Sequence, residues 1–81
     1  MDHRLKQDHL DWFFNGDRNT HLPFVLNEWV HVLAGEHAGR DGLVCNLLAM
    51  KAEPIYLIEP TPGRVEHLEA RASELDRLSS W

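Results

Sequence analysis

The run Trp29-Val30-His31-Val32-Leu33-Ala34-Gly35-Glu36-His37-Ala38-Gly39-Arg40-Asp41-Gly42-Leu43-Val44 leaves this chain little choice of local structure. Apolar, partly β-branched residues flank a loop that holds three glycines, at 35, 39 and 42. That pattern predicts two short strands joined by a tight, irregular turn. Glycine is the residue that takes φ > 0 without a Cβ clash, which costs other residues about 1 kcal/mol or more. Gly35, Gly39 and Gly42 are therefore the expected structural glycines of the bend.

Alternation extends the reading in both directions. Trp29, His31 and Leu33 alternate with Val30 and Val32, which predicts a first strand over 29–33. Leu43–Met50 reads as the second strand, Lys51-Ala52-Glu53-Pro54 as a turn, and Ile55-Tyr56-Leu57-Ile58 as the third. Pro60-Thr61-Pro62-Gly63 makes the next turn. The segment after it admits two readings. Val65, Leu68, Ala72, Leu75 and Leu78 fit one helical face, with Pro62 as its opener. Three strands alone would leave an unpaired edge, which favours a strand at 64–71 followed by one helical turn at 73–76.

Ahead of the strands, residues 2–15 read as a short helix stopped by Asn15-Gly16. Leu5, His9, Trp12 and Phe13 share a face, with Leu10 and Phe14 beside it. A helix this short needs tertiary packing. It is expected to lie as a lid over one open end of the main domain, or else to dock a partner. The organisation is then an N-terminal helix (1–16), a connector (17–26) and a small barrel (27–81), together a single domain.

An 81-residue chain sits near the size at which a single core is marginal, and its seven aromatics help to fill one. One cysteine excludes an intramolecular disulfide and suits a reducing, cytoplasmic setting. Met1-Asp2-His3-Arg4 lacks the layout of a signal peptide, and no apolar run approaches the roughly 20 residues of a membrane helix. Formal charge is −5, distributed as −1 over 1–20, −3 over 27–59 and −1 over 60–81. No segment is basic, so the chain lacks the electrostatic footprint of a phosphate-binding surface.

The strand 29–33, the loop Gly35-Glu36-His37-Ala38-Gly39-Arg40-Asp41-Gly42, the following Leu43-Val44 and the later Ile55-Tyr56-Leu57-Ile58-Glu59 together resemble the KOW motif. That motif belongs to small SH3-like barrels of ribosomal proteins and NusG-type transcription factors. Gly39-Arg40-Asp41-Gly42-Leu43-Val44 carries the likeness most directly, and about residues 27–59 are covered. Two departures stand out. Arg40 is the one basic residue of the loop, beside Glu36 and Asp41, and Asn27-Glu28 stands where the family commonly has Gly-Asp. The resemblance implies a mainly β fold, an SH3-like barrel of about five strands with the helix packed on it. It also implies a role in binding RNA, ribosomes or transcription complexes.

The residues themselves suggest binding rather than catalysis. Carboxylates are scattered, and no nucleophile motif or phosphate loop is present. His31, His37, His67 and Cys45 lack close ligand spacing, so no metal site and no cofactor is expected. Cys45 reads as a small buried hydrophobe. Candidate partner-binding residues are Glu36, His37 and Arg40 on the loop, which rigid scaffolds use for recognition. Trp29 and Tyr56 are further candidates, forming an aromatic platform if both are exposed. The expected function is a non-catalytic protein-interaction module or accessory factor whose acidic surface meets a basic partner. The alternative is a KOW-like domain associated with nucleic acid or the ribosome.

Overall fold

The computed structural model describes residues 5–60 and 67–78. It is mainly β: five antiparallel strands form one sheet, and one helix packs against it. The helix α1 covers Gln7–Asn15. Residues 5 and 6 of the expected helix lie outside it because Lys6 is extended and its N–H donates to His9 Nδ1, so the first turn closes at Gln7; residues 2–4 of that expectation lie outside the described residues. Gly16 ends the helix in the left-handed region, as the Asn15-Gly16 pair predicts.

The connector is less polar in place than in sequence. The Asn19 side chain accepts the N–H groups of His21 and Leu22, and the turn it makes drops Leu22, Phe24 and Val25 into the core. Asn27 then takes φ 70°, a conformation asparagine tolerates better than most residues. Glu28 ties this entry down. It accepts the Val25 N–H at 2.9 Å and bonds both Arg18 (3.3 Å) and Arg77 (3.0 Å).

Strands β1 (Trp29–Val32) and β2 (Asp41–Met50) form the expected hairpin, with Trp29 opposite Leu43 and His31 opposite Asp41. The second strand starts two residues earlier than the alternation suggests. Gly42 is the reason, and its role differs from the one the sequence predicts. It does not take a positive φ, whereas Gly35 (φ 90°) and Gly39 (φ 93°) do. Gly42 lies inside the strand opposite Pro60, where an added Cβ would sit 2.5 Å from Ile58 Cγ2 and 2.7 Å from the Glu59 carbonyl oxygen. Backbone approach, not turn geometry, requires glycine there. We expect Gly42→Ala to destabilise the fold by about 1–3 kcal/mol through overpacking against backbone. Gly39→Ala meets open space and costs only its strained φ, about 1 kcal/mol. Chemical denaturation of the two variants checks the order; equal losses would contradict it.

β3 (Pro54–Pro60) and β4 (Leu68–Arg71) continue the sheet. A 3-10 turn, Ala72–Glu74, leads to β5 (Leu75–Arg77), which pairs with β1. Of the two readings of the C-terminal segment, strand plus turn is the one formed. The turn comes a residue early, and Leu75–Arg77 is a strand where the sequence suggested the turn would still run. The turn expected at 60–63 and the first part of the strand expected at 64–71 fall largely or wholly outside the described residues. The sheet order is β4-β3-β2-β1-β5. In a flat sheet the two edges would lie roughly 19 Å apart. Yet Arg71 and Leu75 are joined by a single 3-10 turn that rises only about 2 Å per residue. The sheet must therefore curl until its edges approach. Register shifts in β2 between Val44 and Asn46 and between Leu47 and Ala49 supply the bend.

The inner face of the curl carries Val30, Val32, Val44, Leu47, Tyr56, Ile58, Leu68, Ala70 and Leu75. Phe13 of α1 closes the core, fully buried, with its ring 6.2 Å from that of Tyr56. The helix is thus a lid.

Candidate functional site

Curling brings the β1–β2 loop against β4 and the 3-10 turn, leaving a groove of about 650 Å³ between them. This lies within the roughly 300–1,000 Å³ of typical ligand clefts. Val32, Ala34, Glu36 and His37 line it from the first hairpin; His67, Glu69, Ala70, Arg71 and Glu74 line it from the opposite wall, and Ile55 completes it.

Each wall has a local cause. On the first, the Gly39 N–H donates to the Val32 carbonyl and the Val32 N–H to the Arg40 carbonyl, both at 2.8 Å. This closes the loop and pushes Glu36 and His37 outward. Their side chains pair at 3.6 Å, with Glu36 fully solvated at 83% side-chain exposure. On the second wall, Leu68 and Ala70 point inward, so Glu69 and Arg71 must point outward. The Glu74 carboxylate accepts the Arg71 N–H at 2.9 Å and crowds Gly35, while the Leu33 N–H donates to the Glu74 carbonyl at 2.7 Å. The loop and the 3-10 turn are thereby clamped together. Among the described residues, three carboxylates face the groove against one guanidinium, which gives their summed charge a negative sign.

The sequence candidates divide. Glu36 and His37 lie in the groove. Arg40 sits at the base of the loop and does not line it. Trp29 lies on the outer face of the sheet, opposite Leu43, partly exposed at 38%. Tyr56 is fully buried, its hydroxyl donating to the Phe24 carbonyl at 2.7 Å and accepting the Phe24 N–H at 3.1 Å. Trp29 and Tyr56 therefore do not form an exposed platform. The sheet turns odd and even positions to opposite faces, and the two residues fall on different ones. His67, Glu69 and Glu74 were missed. The alternation Leu68-Glu69-Ala70-Arg71, with charges at every second position, was the available signal of an edge strand.

Elsewhere, Cys45 is half-buried on the outer face rather than in the core, with its thiol donating to the Leu57 carbonyl. Burial, and after it the Glu59 charge, pushes the thiol pKa up, which keeps Cys45 a weak nucleophile. His31 pairs with Asp41 across the hairpin, and neither residue lines the groove. Among the described residues no group of three or more His, Cys, Asp or Glu side chains converges to hold a metal ion. Nor is any helix there long and apolar enough to cross a membrane. No protein-family model, no curated protein and no solved structure matches the chain.

Proposed function

We propose that this chain is a non-catalytic protein-interaction module that receives a basic segment of a partner protein in the groove between the β1–β2 loop and β4. The observation that carries the reading is the lining: Glu36, Glu69 and Glu74 against Arg71, in an open cleft on a rigid sheet. The strand order, with a 3-10 turn between β4 and β5, supports the SH3-like barrel that the KOW resemblance implies. The charge does not support that motif's nucleic-acid role. Arg18 and Arg77 both point at Glu28 instead of forming a basic face.

A fluorescent lysine-rich peptide tests the reading. It is expected to bind at low ionic strength and to weaken at least tenfold by about 0.15 M salt, as exposed ion pairs are screened. Glu36→Lys, an exposed change with no expected effect on melting, should weaken it further. Mixed-sequence RNA and DNA should not bind at neutral pH. Tight nucleic-acid binding with a steep salt slope, and none to the peptide, would establish the KOW-like alternative instead.

A further inference from the structure

β4 is an edge strand, and its backbone shows which groups are left over. Antiparallel pairing alternates residue pairs that exchange both hydrogen bonds with pairs that exchange neither. The Arg71 N–H donates to the Glu74 carboxylate, so Arg71 and its register partner Ile55 are a non-bonded pair. By alternation Ala70 bonds to Tyr56, and the N–H and C=O of Glu69 face away from the sheet. No described backbone group meets them, since β4 pairs with β3 alone. These groups border the groove whose wall is the Glu69 side chain.

Accepting the interaction-module reading above, we propose that the free edge of β4 takes an extended lysine- or arginine-bearing segment of a partner protein as a sixth strand. Main-chain bonds to Glu69 would supply the register, and alternate side chains the specificity. One set of partner side chains would face Glu69; the other would enter the groove over Val32 and Ala70, near Glu36 and Glu74. Charge selects this occupant over a second copy of the chain. A two-fold pairing of β4 with itself about Glu69 would set Glu69 opposite Glu69, and like charges directly opposite are destabilising. A lysine there reverses the sign.

Two peptides of equal charge separate this mode from simple attraction to the groove. One alternates lysine with valine; the other has the same sequence with every lysine amide N-methylated, which removes the N–H groups that the residues opposite Glu69 would donate to a ladder while keeping their charge. The unmethylated peptide should bind at least tenfold more tightly and slow hydrogen exchange at the Glu69 amide of the intact chain. Glu69→Lys, checked for unchanged melting, should lose at least tenfold in its affinity. Equal binding of both peptides, with no protection at Glu69, overturns the added strand while leaving the groove as a basic-segment site. Binding of neither overturns both readings. Protection of Glu69 by self-association, without peptide binding, overturns the proposal in favour of a second copy.

Discussion

Phe13→Ala is expected to cost about 3–5 kcal/mol, enough to leave much of the population unfolded at ordinary temperature. The whole domain, at roughly 0.05–0.15 kcal/mol per residue, has only about 4–12 kcal/mol to lose. The size of the effect follows from where the ring lies. It is fully buried, packs 6.2 Å from Tyr56 and 5.1 Å from Phe14, and its own carbonyl accepts the Leu26 N–H at 3.3 Å. Truncation therefore opens a cavity beneath α1 and loosens the connector in one step. A nine-residue helix does not persist without that anchor. Phe14, 56% exposed, is the control, and Phe14→Ala should cost less than about 1 kcal/mol. Thermal melting of both variants measures the contrast. If Phe13→Ala melts with the parent, the helix is an appendage and the lid assignment fails.

Tyr56→Phe should lower stability by about 2–4 kcal/mol, a large loss for one oxygen atom. The hydroxyl serves both backbone groups of Phe24, and the phenylalanine leaves a buried N–H and a buried C=O unpaired at about 1–3 kcal/mol each. The ring still fills its place, so the loss isolates the hydrogen bonds. An alkaline signature accompanies it. Burial raises the Tyr56 pKa well above the tyrosine value of 10.0; the Phe24 N–H opposes the shift and the Glu28 charge adds to it. Because the folded-state pKa is the higher one, the unfolded chain loses this proton first. The stabilisation is complete below pH 10.0 and is lost progressively as the pH rises above it. Denaturation at neutral and alkaline pH reads both effects. The parent should destabilise above that point more steeply than Tyr56→Phe, and parallel pH profiles would show that this hydroxyl does not control the alkaline limb.

Some of this architecture is written in short stretches of chain. The Asn15-Gly16 stop, the strand of alternating Val30 and Val32, the bend containing Gly35 and Gly39, and the run Ile55–Ile58 of the third strand all depend on backbone preferences within a few residues; that this strand also takes in Pro54, expected in the turn, and reaches Pro60 does not. The candidate site was half legible for the same reason. Glu36 and His37 belong to a loop whose exposure follows from its glycines, whereas Tyr56 and Trp29 could be placed on a common surface only by ignoring which face each strand position takes. Gly42 was recognised as necessary on the wrong ground. The pressure on it comes from Ile58 and Glu59, some sixteen residues away in sequence, and no local pattern records that approach.

By itself, the sequence determined the succession of one helix and the first three strands, the alternation along the first of them and a formal net charge of −5. Only the tertiary structure decided that Glu36 and His37 meet His67, Glu69 and Glu74 across a groove. Periodicity is set by neighbouring dihedral angles and can be read one residue at a time. The meeting of two distant edges depends instead on twist summed over five strands, and on two irregularities in β2 that bend the sheet.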